Sequence, residues 1–146
     1  MLLESSRIGR DKGRPGDASQ SATILLVEDE DRVREVMEVA LSLSGYKVLA
    51  TESAIEALEI IETYDETIHL MVTDFAMPYM NGADLAVRLK RARPRTKVLY
   101  VSGFPKQDVQ DFHEMNGRTT TIEFLQKPFM PDELEIKVHT LLADAH

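Results

Sequence analysis

From Thr23 onward the apolar residues alternate between two rhythms. Short continuous runs such as Ile24-Leu25-Leu26-Val27 and Leu70-Met71-Val72 are bounded by charged or turn-forming residues, the pattern of strands buried on both faces. Between them apolar positions recur at helical spacing: Val33, Val36, Met37, Ala40 and Leu41 form one stripe, which is read as core, while Arg32, Arg34, Glu35 and Glu38 face elsewhere. The chain therefore predicts strands over 23–27, 47–50, 70–73, 97–101 and 121–126, and helices over 30–43, 54–63, 83–91 and 132–142, with a weaker helix over 106–115. Gly45 reads as the stop of the first helix, and Ser53 with Glu56 has the spacing of a capping box.

Strand and helix units in strict alternation imply an α/β fold whose parallel sheet is covered by helices on both faces. The expected architecture is a flavodoxin-like (βα)5 three-layer sandwich with a five-stranded parallel sheet in the order 2-1-3-4-5. Residues 1–21, with Gly9, Gly13, Pro15, Gly16 and several serines, show no sustained apolar period and are read as a flexible tail or linker. Residues 22–144 are read as one domain.

Composition narrows the chemistry. The chain has 146 residues and no cysteine, which removes disulfides, thiolate metal sites and cysteine nucleophiles. No apolar run approaches the ~20 residues that cross a bilayer, so no membrane segment is expected and a cytoplasmic location is the simple reading. With 25 acidic against 17 basic side chains the net charge is −8, which argues against direct nucleic-acid binding.

What changes the picture most is where the strands end. The first runs into Glu28 and Asp29, the third into Asp74, the fourth into Ser102 and the fifth into Lys127-Pro128. Open parallel sheets bind ligands outside the carboxyl ends of their strands, and in the 2-1-3-4-5 order the first and third strands are neighbours. Carboxylates held together in a partly dry cleft repel one another, and a hard divalent cation offsets that repulsion. Mg²⁺ suits Glu28, Asp29 and Asp74; Ser102 can donate a hydrogen bond to a phosphoryl oxygen and Lys127 can place a charge on another. Singly, each residue is a turn former, a helix cap or a surface charge; together they describe a phosphoryl site.

The segments VEDE, TDFAMP, VSG and QKPF resemble, in order and spacing, the receiver domains of two-component signalling proteins. The resemblance spans about Thr23 to Leu142. It implies that Asp74 is a phosphoacceptor taking its phosphoryl group from a histidine kinase or histidine phosphotransfer protein, assisted by Mg²⁺, with Mn²⁺ as a substitute. It further implies that Asp29, Glu28, Asp74 and the backbone carbonyl of Ala76 hold the metal. Ser102 and Phe124 take the places of the switch hydroxyl and switch aromatic, Lys127 that of the essential ammonium, and Lys127-Pro128 is expected to be cis. The VSGF and FLQKPF phrasing resembles receivers at the carboxyl end of hybrid histidine kinases, with a stand-alone response regulator as the neighbouring reading.

The chain departs from the common pattern in carrying Glu28-Asp29 rather than two aspartates, and in Ala76 and Phe104, which offer an attacking water no polar group. Slow to moderate dephosphorylation is expected. Signal output is expected through the face of the fourth helix, fifth strand and fifth helix, which is also a possible homodimer surface. Two other readings are a receiver fold used as a phosphorylation-independent docking module and an Mg²⁺-dependent aspartyl phosphatase. The phosphatase usually needs a second acid where this chain has Ala76. A flavin-binding fold is disfavoured by Glu28-Asp29-Glu30-Asp31, which would repel phosphate after the first strand.

Overall fold

The computed structural model describes residues 22–115 and 120–143, so the expected tail over 1–21 and the expected domain end at 144 lie outside the described residues. In chain order the elements are β1 (Thr23–Val27), α1 (Asp31–Leu43), β2 (Lys47–Thr51), α2 (Ala54–Thr63), β3 (Leu70–Asp74), α3 (Gly82–Ala92), β4 (Lys97–Ser102), α4 (Lys106–Met115), β5 (Glu123–Gln126) and α5 (Pro131–Ala143). The sheet order is β2-β1-β3-β4-β5 with every pairing parallel, the 2-1-3-4-5 arrangement expected of a flavodoxin-like fold.

Side chains that alternate along each strand feed two cores. Ile24, Leu26, Val72, Leu99 and Val101 pack with Met37 and Leu41 of α1 and with Leu134 and Val138 of α5. On the opposite face Leu25, Val27, Met71 and Tyr100 pack with Ala57 and Ile61 of α2, Leu85 and Leu89 of α3 and Val109 of α4. Each fully buried Leu, Ile or Met contributes about 1.5–3 kcal/mol relative to an exposed one, so both faces of the sheet are held without disulfide or metal.

Helix ends follow their local chemistry. Gly45 takes φ 98°, and a paired bond pattern closes α1: Gly45 N–H donates to Ser42 O at 3.0 Å and Tyr46 N–H to Leu41 O at 3.2 Å. Ser53 Oγ accepts the Glu56 N–H at 3.2 Å, while Glu56 Oε1 accepts from Glu52 N–H at 3.2 Å, one residue earlier than a strict capping box. Arg93 ties the ends of α2 and α3 together by donating to the carbonyls of Ile61, Tyr64 and Glu66.

Several element boundaries differ from the sequence pattern by one or two residues, and three details stand out. α1 begins at Asp31 with Glu30 as its N-cap. β5 begins at Glu123 because the Ile122 N–H donates to Gln110 Oε1 of α4 and not to β4. Val36 is 51% exposed, although the helical stripe places it in the core. The stripe is wider than the surface the sheet offers, and Val36 instead borders a groove shared with Pro128 and Phe129.

Candidate functional site

The hydrogen-bond ladder continues past the strand ends and fixes the residues there. Glu28 N–H donates to Thr51 O at 3.1 Å, Phe75 N–H to Val101 O at 3.0 Å and Lys127 N–H to Ser102 O at 2.8 Å. Glu28, Asp74, Ser102 and Lys127 therefore start from backbone the sheet itself holds, which gives the site a rigid floor. The Lys127-Pro128 peptide is cis.

An open cleft at this sheet edge is lined by Asp29, Glu30, Asp74, Ala76, Ser102, Gly103, Phe104 and Lys127. Glu28 lies beneath it, fully buried. Carboxylate oxygens of Glu28, Asp29 and Asp74 all lie within 4.8 Å of one another. Lys127 Nζ enters this cluster at 2.8 Å from Glu28 Oε1, 3.2 Å from Asp74 Oδ2 and 3.3 Å from Glu30 Oε1. Its directed hydrogen bonds go to Asp74 and Glu30, so Glu28 Oε1 is close to the ammonium yet accepts no well-aligned hydrogen bond.

One ammonium does not neutralise this group of acids. Burial, opposed by the contact with Lys127 and reinforced by the charge of Asp74, raises Glu28 from 4.5 to about 7. Burial likewise raises Asp74, against the lowering charge and hydrogen bond of Lys127. Lys127 is raised: its own desolvation pulls it down, and the close contact with Glu28 together with the charges of Asp74 and Glu28 outweighs that. A buried carboxylate oxygen without a directed donor, beside two further carboxylates, is the donor set a hard cation such as Mg²⁺ prefers, and receiver domains bind Mg²⁺ at such an acidic pocket. The residues fit the ion.

The remaining expected residues divide. Ser102 is 1% exposed, and its Oγ accepts the Phe104 N–H at 3.0 Å, which leaves the hydroxyl proton to be donated elsewhere. Ala76 is exposed on the rim, and its N–H donates to Asp74 Oδ1 at 3.3 Å. Phe104 is 50% exposed, with its ring edge-on to Phe75 at 6.4 Å. Phe124 is not in the cleft; it is half-buried against the core beneath α2, α3 and α4.

Gly82 is a site-shaping residue the sequence pattern did not single out. It opens α3 directly under β3, the strand that ends on Asp74: a Cβ there would lie 2.6 Å from the Asp74 carbonyl oxygen and 3.1 Å from Phe75 Cα, and the Gly82 N–H already donates to Phe75 O at 2.7 Å. Both obstacles are backbone, so nothing flexible can yield. Gly82→Ala is expected to destabilise the fold by about 1–3 kcal/mol, read as a lower urea midpoint; an unchanged midpoint would show that α3 slides freely over β3.

The chain matches the response regulator receiver domain family over residues 24–139. It is 38% identical over 126 residues to the sensor kinase CckA of Brucella abortus, an alignment covering 86% of this chain and 13% of that protein. It is 28% identical over 119 residues to the response regulator SaeR of Staphylococcus aureus, covering 82% of this chain and 50% of that one. This chain thus spans half or less of the length of these relatives. Among solved structures, the receiver domain of the hybrid histidine kinase CckA superposes with a TM-score of 0.69 at 32% identity, over 83% of this chain and 99% of that one. A receiver domain protein from Clostridium thermocellum gives 0.72 at 26% identity, over 84% of this chain and 94% of that one.

Proposed function

Because the chain belongs to the response regulator receiver domain family of two-component signalling, we propose that Asp74 accepts a phosphoryl group from a phosphohistidine on a histidine kinase or histidine phosphotransfer protein. The observation that carries this is the convergence of Glu28, Asp29 and Asp74 within 4.8 Å, with Lys127 Nζ held 3.2 Å from the Asp74 carboxylate. In an in-line transfer an Asp74 oxygen forms the new bond to phosphorus as the phosphorus–nitrogen bond breaks, and the departing imidazole takes up a proton. Lys127 orients the nucleophile and then faces an oxygen of the transferred group, while Ser102 donates its hydroxyl proton to another. Glu28, Asp29, Asp74 and the Ala76 carbonyl would hold Mg²⁺, or Mn²⁺ in its place, which neutralises charge building on the phosphoryl oxygens.

Asp74 is consumed stoichiometrically, so the domain is an acceptor and not an enzyme. Ala76 and Phe104 bring no side-chain group that would position water, which supports slow to moderate loss of the acyl phosphate. Phosphorylation draws Ser102 inward and repacks Phe124, changing the face of α4, β5 and α5, which serves partners or a second copy. We assign residues 22–144 to the receiver and 1–21 to a linker, in a cytoplasmic protein; the likeness to CckA supports a hybrid-kinase parent. Among the described residues no helix is long and apolar enough to cross a membrane.

The test is intact mass after incubation with Mg²⁺ and a small-molecule phosphodonor, followed by borohydride reduction and peptide mapping. A single phosphoryl gain, lost under chelation and mapped to Asp74, is expected. No gain by a folded, Mg²⁺-binding protein points to a docking module, and multiple turnover of phosphomonoesters points to a phosphatase.

A further inference from the structure

Arg34 sits on α1 among residues whose spacing points them to solvent, yet its side chain is only 18% exposed and turns back over the β1–α1 loop. Nη1 donates to the carbonyl oxygen of Glu28 at 2.9 Å, and Nη2 donates to Asp31 Oδ1 at 2.7 Å. The Glu28 carbonyl belongs to the peptide that joins Glu28 to Asp29, so one planar guanidinium grips the link between two of the three converging carboxylates and the first residue of α1. The same loop is pinned from two other directions, by Glu28 N–H on Thr51 O at 3.1 Å and by Glu30 N–H on Glu28 Oε2 at 3.1 Å. The Arg34 bond is the one that fixes the far side of the Glu28–Asp29 peptide, and Asp29 itself is exposed.

We propose that Arg34 is a positioning residue for divalent-cation binding: its two-pronged contact holds the Glu28–Asp29 peptide so that Asp29 faces Asp74 and Glu28. This rests on the reading of the acidic pocket as a Mg²⁺ site. Mg²⁺ demands near-ideal octahedral geometry, so a ligand free to swivel binds it poorly, and loss of a residue that orients a ligand weakens metal sites by about 10–100-fold. A role as mere local charge has the opposite sign, since removing a cation near an acidic pocket strengthens its attraction for another cation.

The opposed signs make the test sharp. Mg²⁺ affinity is measured by isothermal titration calorimetry on wild type, Arg34→Ala and Arg34→Lys, with circular dichroism and metal-free thermal unfolding to establish that each variant is folded. Arg34→Ala is expected to weaken Mg²⁺ binding at least tenfold, near the lower end of the range for ligand-orienting residues. Arg34→Lys, which keeps the charge but replaces a fork with a single ammonium, is expected to fall between. Binding by Arg34→Ala as tight as wild type or tighter overturns the proposal while leaving the Mg²⁺ site intact. Wild type that fails to bind Mg²⁺ overturns the site reading and the positioning role together. Should Arg34→Ala not fold, Arg34→Lys decides: affinity equal to wild type overturns the fork.

Discussion

Asp74→Asn is expected to abolish phosphoryl uptake while making the metal-free protein more stable at pH 8. Asparagine keeps the shape of the side chain but offers an amide, which is no nucleophile toward phosphorus, and losing the nucleophile of a covalent transfer lowers the rate by roughly 10³-fold or more. Stability moves the other way because burial has raised Asp74 above the ordinary aspartate range. A carboxyl raised in the folded state binds its proton more tightly there than in the unfolded chain, so stability falls as pH rises past the unfolded value, and a neutral amide does not suffer that loss. Lys127 keeps Glu28 at 2.8 Å and Glu30 at 3.3 Å after the change, so it is not left as an unpaired buried cation. The checks are intact mass after phosphodonor treatment and urea midpoints at pH 5 and pH 8. Phosphoryl uptake by the variant would mean that another residue is the acceptor, and an unchanged midpoint at pH 8 would mean that Lys127 already neutralises Asp74.

The layered fold was legible because each strand run is short, apolar and bounded, and each helix has its own stripe and stops; even the weak helix over 106–115 appears with those limits as α4. The carboxylates were legible because the doubly wound topology converts strand ends into a shared edge, so position in sequence becomes proximity in space. What escaped depends on tertiary approach. Val36 lies on the helical stripe, but periodicity gives the direction of a side chain and not the extent of the surface it meets. Arg34 is polar and points outward by spacing, and its length is what lets it fold back onto the Glu28 carbonyl. Gly82 looks like an ordinary turn glycine; its constraint is the Asp74 carbonyl 2.6 Å from an absent Cβ, which no local pattern encodes. Arg93 is a basic residue at a helix end, where macrodipole complementarity would explain it, yet it binds carbonyls of the last turn of α2 and of the α2–β3 connection about thirty positions earlier.

Glu28→Gln separates the two demands made on this pocket, folding and metal binding. Glu28 is fully buried, and its carboxyl is raised from 4.5 to about 7. The folded protein therefore takes up a proton that the unfolded chain has already lost, and stability declines between those two pH values before levelling off above them. At 1.36 kcal/mol per pH unit the full loss is on the order of 3 kcal/mol, with the attraction of Lys127 already included. A glutamine, neutral like the protonated acid, is expected to recover about that much at pH 8 and almost nothing at pH 4.5, a difference of roughly 10 °C in melting temperature for a domain of this size. Mg²⁺ acts against that gain: it stabilises whichever protein binds it, in proportion to the logarithm of concentration over Kd, and the variant has lost a charged oxygen that accepts no directed hydrogen bond in the metal-free fold. Saturating Mg²⁺ should thus stabilise wild type more than the variant and narrow or close the gap at pH 8. Thermal unfolding at pH 4.5 and pH 8, each with and without Mg²⁺, reads all four quantities. Equal stability of the two proteins at pH 8 without metal would show that Lys127 fully compensates the buried charge, and equal stabilisation by Mg²⁺ would remove Glu28 from the metal site.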